Sequence, residues 1–231
     1  MTFEIFLACF IGFVVVFVYG AVRAMGNAQE HKQEQKDQRK EIARRALAKG
    51  WGYAPVIGRE WDWKIHGKTQ GGLPWTMVFS IAIRDVYPDG LNNPKQRAFD
   101  TINGQQLEWR CPALQRGDHV FSFFRRTGSE SAPEVRMEGT PAVWSRWRVE
   151  SRDEALARRA FSPAVCALLE KLPPAYAKNT FEDQRTSITY GTDGLVSVRG
   201  AYFPEPDVVD LWIQINDALA AAIGGTMLEM Q

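Results

Sequence analysis

Few residues in this chain have types and spacing that could carry out catalysis. Gly67-Lys68-Thr69 resembles the end of a phosphate-binding loop, in which a lysine and a hydroxyl follow a glycine. That loop also needs an earlier glycine, whose position is held by Asp62, and a helix behind the lysine. Residues 61–68 instead alternate between apolar and polar side chains, which favours a strand. We therefore reject a nucleotide-binding loop.

Cys111 and His119 could in principle supply a nucleophile and a general base. Cys111 precedes a proline at the end of a predicted strand and shares its face with Leu107 and Trp109. This pattern is typical of a thiol packed in the core rather than of a reactive one. We therefore assign Cys111 no catalytic role.

The sequence shows neither a set of metal ligands nor a pair of catalytic carboxylates. Its three cysteines, Cys9, Cys111 and Cys166, lie far apart and form no CxxC pair. The acidic residues near position 134 fall in a predicted loop, and those from 207 to 217 fit the start and the polar face of a helix. The sequence thus predicts no catalytic residue, no cofactor and no metal site. The cysteine usage is typical of a reducing compartment.

Tryptophan is the one residue type in excess, with eight copies. Trp144 is the copy that we do not expect in the core, because it shares a predicted strand face with Arg146 and Arg148. An exposed aromatic side chain flanked by arginines is typical of a protein contact surface. Trp144, Arg146 and Arg148 are therefore the predicted contacts with a protein partner of unknown identity. Four other tryptophans alternate with polar residues and are expected in the core: Trp61, Trp63, Trp75 and Trp109.

A hydrophobic run without charged residues occupies residues 5–22, which read IFLACFIGFVVVFVYGAV. As a helix with a rise of about 1.5 Å per residue it would be roughly 27 Å long, close to the hydrocarbon thickness of a bilayer. Glu4 is the only charged side chain before it, so the basic start of a cleaved signal peptide is missing. We expect an uncleaved transmembrane anchor over residues 1–25, inserted in the lipid bilayer through residues 5–22. Cleavage after Ala24 is the alternative.

The segment after this run predicts the orientation of the protein. Residues 23–50 hold eight Lys and Arg side chains and four Asp and Glu side chains. Because basic flanks stay on the cytoplasmic side, the rest of the chain is expected in the cytoplasm of a bacterium, at the inner membrane. Residues 26–50 are predicted to form a polar stalk helix that stops at Gly50, with Ile42, Ala46 and Leu47 on one stripe. Contact between this basic segment and anionic lipid headgroups is the alternative.

Residues 51–231 are predicted to form one globular α+β domain. Two hairpins are the clearest signals, one turning at Gly71-Gly72 and one at Thr192-Asp193-Gly194. Helices are expected mainly in the C-terminal half, on a mainly antiparallel sheet. The predicted strands cover residues 61–68, 75–83, 106–111, 119–126, 143–149, 188–190 and 195–199; the predicted helices cover 153–160, a stretch opened by Ser162-Pro163, and 206–223 before Gly224-Gly225.

Several stretches together resemble a group of uncharacterised bacterial single-pass membrane proteins. They are the polar stalk, RKEIARRALAKGWGYAP, WKIHGKTQGGLPWTM and WSRWRVESRDEALARRAFSPAVCALLEKL. The last stretch is followed by a hairpin and an amphipathic helix. The resemblance covers nearly the whole chain, but it consists of aromatic and turn residues rather than catalytic signatures. It implies an N-terminal anchor helix and a cytoplasmic α+β domain, and it implies no activity.

The expected function is that of a membrane-anchored binding or assembly module that faces the cytoplasm. A formal net charge of +1 gives no reason to expect nucleic acid as a partner. Ala8, Gly12, Gly20 and Ala24 offer small-residue contacts between membrane helices and hence a possible homo-oligomer. Two alternatives stay open: an enzyme of unfamiliar type acting near the membrane, and an immunity or envelope-stress protein.

Overall fold

The computed structural model describes residues 29–30, 32–57, 59, 62–83, 103–125, 135, 143–144, 147–173, 186–200 and 204–229. The chain divides into two compact units, with the boundary after Ala43. The predicted anchor, residues 1–25, lies outside the described residues. Within the described part of the chain, no helix is both long enough and apolar enough to cross a membrane.

Residues 29–30 and 32–43 of the first unit are helical. Asp37 accepts hydrogen bonds from Gln33 at 2.9 Å and from Lys40 at 3.1 Å, one turn away on either side. The hydrogen bond from Gln33, followed by that from Lys40, lowers the pKa of Asp37. The described part of the predicted polar stalk is therefore a helix, and its side chains interact with one another along the helix surface.

The second unit opens with a junction segment, residues 44–51, that leads from a helix into the sheet. The Trp51 N–H donates to the Ala46 carbonyl at 2.9 Å, and the Gly50 N–H donates to the Leu47 carbonyl at 3.0 Å. Together with a φ of 73° at Gly50, these bonds form a Schellman motif that ends the helix. Ala46 is buried as predicted, but Leu47 is 64% exposed, so the predicted stripe is wrong at Leu47. Neighbouring helical residues lie about 100° apart, and only the side that carries Ala46 is buried.

Two basic residues of the junction segment, one helical turn apart, bind two acidic residues that follow Pro206. Arg45 Nη1 lies 2.5 Å from Asp207 Oδ1 and 3.2 Å from Asp210 Oδ2. Lys49 Nζ lies 2.6 Å from Asp210 Oδ1 and 4.8 Å from the ring centroid of Trp51. Asp210 is 17% exposed and is shared by both cations, so this ion-pair network attaches the junction segment to the last helix.

Replacing Asp210 with asparagine is therefore expected to destabilise the protein by about 1–2 kcal/mol, because it removes two charge-assisted contacts from a mostly buried group. Asp207→Asn is the matched control: Asp207 is 82% exposed, and its loss should cost under about 0.5 kcal/mol. Thermal unfolding of the full-length protein in mild detergent, at low and high salt, measures both. Equal effects of the two substitutions would contradict the network.

The described strands form an eight-stranded antiparallel sheet in the order β1-β2-β3-β4-β8-β7-β5-β6. The predicted α+β class and its mainly antiparallel sheet are confirmed. β1 and β6 are the edge strands, and the two predicted hairpins are β2-β3 and β7-β8. The strands are β1 Gly52–Pro55, β2 Trp63–Lys68, β3 Pro74–Ile83, β4 Asn103–Cys111, β5 Phe121–Arg125, β6 Trp147–Ser151, β7 Ser187–Gly191 and β8 Gly194–Gly200.

Side chains alternate between two faces of this sheet, because successive residues of a strand point in opposite directions. The inner face is almost completely buried and is rich in aromatic residues. Three of the four tryptophans predicted in the core, Trp63, Trp75 and Trp109, are confirmed there. The fourth, Trp61, lies outside the described residues. The buried members of the inner face include Trp63, Ile65, Trp75, Met77, Phe79, Leu107, Trp109, Leu195, Ile188, Tyr190, Phe121, Phe123 and Val149. The opposite, outer face is partly or fully exposed along most of the strands.

Besides the helix that ends before Gly50, the described residues include the α-helices α1 Glu154–Ala160, α2 Pro163–Lys171 and α3 Pro206–Glu229. Phe161, at the end of α1, stacks on Phe123 of the inner face at a centroid distance of 4.8 Å. The Ser162 side chain caps α2 by accepting from the Val165 N–H, as the Ser-Pro signal predicted. The helices thus pack on the inner face.

The end of the last helix differs from the prediction. Helix α3 continues through Gly224 and Gly225 to Glu229 rather than stopping at the glycine pair. A Cβ at Gly224 would be at ordinary contact distance from neighbouring segments, 3.8 Å from Leu73 and 3.9 Å from Leu114. The helix therefore has tertiary neighbours at the glycine pair, and such contacts can outweigh the low helix propensity of glycine.

Candidate functional site

The outer face of the sheet has a centre of short, uncharged side chains. These belong to the adjacent strands β8, β7 and β5, which carry Val196, Val198, Ser187, Thr189 and Ser122, all partly exposed. Their lateral order is set by the register, in which Val196 pairs with Thr189 and Thr189 with Ser122. We call these five residues the central strip.

An arginine–glutamate pair lies on each side of the central strip. On β4, Arg110 forms an ion pair with Glu108, and these residues are cross-strand partners of Val196 and Val198. The ion pair with Glu108 raises the pKa of Arg110. On β6, Arg148 forms an ion pair with Glu150. Each pair is electrically neutral, so the strip has polar margins without a net charge of its own.

Arg148, one of the three predicted contact residues, lies on the outer face but in an unexpected environment. Arg148 is 2% exposed, and its guanidinium lies 5.0 Å from the ring centroid of Phe124 while it pairs with Glu150. The prediction that Arg148 is exposed is therefore wrong, because its guanidinium is buried between Phe124 and Glu150. Arg146 lies outside the described residues.

Trp144 also differs from the prediction of an exposed strand residue. Val143 and Trp144 are helical, and strand β6 begins only at Trp147. The Trp144 ring is half-buried and meets Phe123 and Phe161 edge-on, each at 6.3 Å. Trp144 thus belongs to the aromatic cluster of the inner face. Its role as a partner contact stays a prediction, as do the membrane-helix contacts Ala8, Gly12, Gly20 and Ala24, which lie outside the described residues.

One contact between side chains that could act in catalysis was not predicted from the sequence. Ser122 Oγ lies 3.1 Å from His119 Nε2, which is within hydrogen-bond distance. Both side chains reach solvent, His119 more than Ser122. A hydroxyl three residues after a histidine is a weak sequence signal, because such spacings are common and because the residues meet only through the bend of the chain into β5.

The two described cysteines are buried thiols. Burial raises the pKa of Cys111, and backbone N–H groups of Leu114 and Ala113 oppose this only in part. Burial, followed by the charge of Glu170, raises the pKa of Cys166 to about 11. Since the thiolate is the nucleophilic form, both residues are poor nucleophiles at neutral pH, which agrees with the core role predicted for Cys111.

Alkylation should therefore be slow at both sites. At pH 8 we expect iodoacetamide to modify Cys111 and Cys166 at least about 100-fold more slowly in the folded protein than in urea, because the reaction requires local unfolding. Peptide mass spectrometry over a time course separates the two sites from Cys9. Rapid modification of Cys111 in the folded protein would contradict its assignment to the core.

Within the described residues, histidine, cysteine and acidic side chains do not gather in groups of three that could hold a metal ion. No family model matches the chain, and no curated protein matches its sequence. Among solved structures, the crystal structure of the mycobacterial trehalose monomycolate transport factor A, TtfA, is similar to it with a TM-score of 0.41 and 10% identity, over 81% of this chain and 95% of that chain. A similarity of this size does not establish a common fold.

Proposed function

We propose that the protein is a membrane-tethered binding module that receives a protein partner on the outer face of its sheet. Residues 5–22 anchor it in the bacterial inner membrane, and the domain faces the cytoplasm. The hydrophobic run and its basic downstream flank support the tether and the orientation.

The observation that carries the binding role is the composition of the central strip. Valine, serine and threonine side chains stand partly exposed on the middle strands, and the charged residues beside them are already paired with each other. Protein interfaces have a similar arrangement, with a centre depleted in charge and a polar rim. A partner can cover the central strip without desolvating an unpaired charge. The backbone beneath it is held by ladders on both sides, so little ordering is needed on binding.

A substitution in the middle of the strip tests this role. Thr189→Arg places a long charged side chain on the strip and should reduce partner labelling at least about tenfold, since an unpaired charge at an interface centre costs more than about 1.4 kcal/mol. Ala167→Arg, on an exposed position of α2, is the matched control and should leave labelling unchanged. Proximity labelling by the full-length protein in bacterial cells measures both. Equal labelling by the Thr189→Arg variant and the natural protein would contradict the proposal.

The orientation has its own test. A reporter fused after Gln231 should be active in the cytoplasm, and activity only in the periplasm would contradict the proposed topology. Deleting residues 1–25 should release the protein from the membrane fraction. If the small residues Ala8, Gly12, Gly20 and Ala24 hold two anchors together, the same deletion should also abolish crosslinking between copies.

The enzyme alternative is favoured by one observation, the contact between Ser122 and His119. A histidine that accepts the serine proton would make Ser122 a nucleophile for acyl transfer. Such a serine should react with a fluorophosphonate probe, and Ser122→Ala should abolish that reaction. The binding proposal expects no labelling of Ser122.

A further inference from the structure

The strand next to the sheet edge carries three basic side chains on the outer face. Lys64, His66 and Lys68 occupy alternate positions of β2, and all three are exposed. We call them the basic stripe. Alternate residues of a strand are about 6.6–6.8 Å apart, so the stripe extends about 13 Å along β2.

The cross-strand neighbours of Lys64 and His66 are short, which leaves both side chains exposed to solvent. On β1, the cross-strand partners of His66 and Lys64 are Gly52 and Ala54. On β3, the partners are Thr76 and Val78. A Cβ at Gly52 would lie 2.1 Å from the His66 ring, which shows that this ring rests directly on the β1 backbone.

The two lysines of the basic stripe have no acidic partner among the described residues, unlike four other cationic side chains of this chain. Arg45, Lys49, Arg110 and Arg158 each contact a carboxylate of this chain. Among the residues that the structure describes, no carboxylate lies within ion-pair distance of Lys64 or Lys68. Among the described residues, the stripe therefore presents two positive charges that no carboxylate of this chain pairs with.

We propose that the basic stripe binds an extended acidic segment of the partner protein, aligned along β2. The proposal rests on the binding function above and specifies the chemistry of one part of the partner. An extended segment repeats its side chains at the same spacing as β2, so acidic residues at alternate positions can each face one member of the stripe. Exposed ion pairs of this kind set orientation and association rate more than affinity.

An anionic membrane surface fits the same face less well. Glu108 and Glu150 point to the outer face with the stripe, as their register positions show. A planar layer of lipid headgroups laid on this face would mostly cover the uncharged central strip and these two neutral pairs, whereas a narrow segment along β2 meets only the stripe. The charge distribution therefore favours a peptide.

The test uses the full-length protein in phosphatidylcholine nanodiscs and a fluorescent peptide of alternating glutamate and threonine. We expect binding that weakens as salt is added, and at least about tenfold weaker binding to the variant with Lys64→Glu and Lys68→Glu, because two attractions become repulsions. The matched control has Lys32→Glu and Lys36→Glu, which reverses two exposed lysines at the same sequence spacing. It should bind the peptide as the natural protein does.

Three outcomes of the experiments in nanodiscs would overturn the proposal. The first is equal loss of peptide binding in both double variants, and the second is no peptide binding at low salt. The third is protection of Lys64 and Lys68 from acetylation by adding phosphatidylglycerol to the nanodiscs but not by adding the peptide, which would make the membrane the occupant. If the stripe variant keeps normal partner labelling in cells while Thr189→Arg loses it, the stripe proposal fails and the binding function stands.

Discussion

Replacing Phe123 with alanine is expected to lower the free energy of unfolding by about 3–5 kcal/mol, the range for removing a buried phenylalanine from a packed core. Phe123 is completely buried on the inner face. Its ring stacks on Phe161 at 4.8 Å and on Trp147 at 5.1 Å, and it meets Trp144 edge-on at 6.3 Å. Its removal therefore opens a cavity and also breaks three aromatic contacts that link β5, β6 and the end of α1.

The next residue along the strand is the matched control. Phe124 lies on the outer face, is half-exposed, and contacts the Arg148 guanidinium at 5.0 Å. Phe124→Ala should cost only about 1 kcal/mol, mainly through the lost cation–π contact. Thermal unfolding of full-length protein in mild detergent, followed by tryptophan fluorescence, compares the two. If both substitutions lowered the free energy of unfolding by a similar amount, Phe123 would not be on a more deeply buried face of β5 than Phe124.

Replacing Gly194 with alanine should have an effect of similar size for a different reason. Gly194 has a φ of 82°, and a Cβ there would lie 2.3 Å from the Cys111 carbonyl oxygen and 2.9 Å from the Pro112 Cα. A left-handed backbone costs an alanine about 1–2 kcal/mol, and moving two backbone segments apart adds about 1–3 kcal/mol. We expect a total loss of about 3–5 kcal/mol.

Gly72→Ala separates these two contributions. Gly72 has nearly the same φ, 80°, but no atom lies within 4 Å of the position of its Cβ. Its replacement should cost about 1–2 kcal/mol, from the backbone conformation alone. The difference between the two variants measures the close approach of the β7-β8 turn to the end of β4. If the two losses are equal, the register that pairs Cys111 with Leu195 is wrong.

Local signals in the sequence predicted most of the elements correctly. Alternation in β2 and β3 identified both strands and their buried faces, because period two is the direct consequence of strand geometry. The Gly71-Gly72 and Asp193-Gly194 turns were predicted correctly, since both Gly72 and Gly194 adopt a positive φ. The proline after Ser162 likewise marked the start of α2.

Features that depend on distant residues were not predicted. The order in which β4 pairs with β8 follows from packing of the whole sheet, and no local pattern encodes it. Arg45 meets Asp207 across 162 positions of sequence, so no local pattern in the junction segment could identify this partner. Arg148 followed the alternation expected of an exposed residue, but the structure buries it with Glu150 and Phe124.

The candidate site also combines features that the local sequence encodes with features that depend on distant residues. Alternation alone could place Thr189 and Val196 on one face of a hairpin, but the central strip exists only because β5 joins that hairpin at the β7 edge. The sequence pattern singled out Trp144 as a surface residue, but its ring packs in the aromatic cluster of the inner face. The sequence thus predicted a binding module, but it did not predict the surface on which we propose that the partner binds.

Site-specific photo-crosslinking tests the central claim most directly. A photoreactive amino acid placed at Val196 or Ser187 on the outer face, or at Ala167 on an exposed position of α2, reports what touches each surface of the full-length protein in living cells. The binding module proposed here predicts discrete protein adducts from Val196 and Ser187 and none from Ala167. Adducts from Ala167 alone, with none from the two outer-face positions, would contradict the claim.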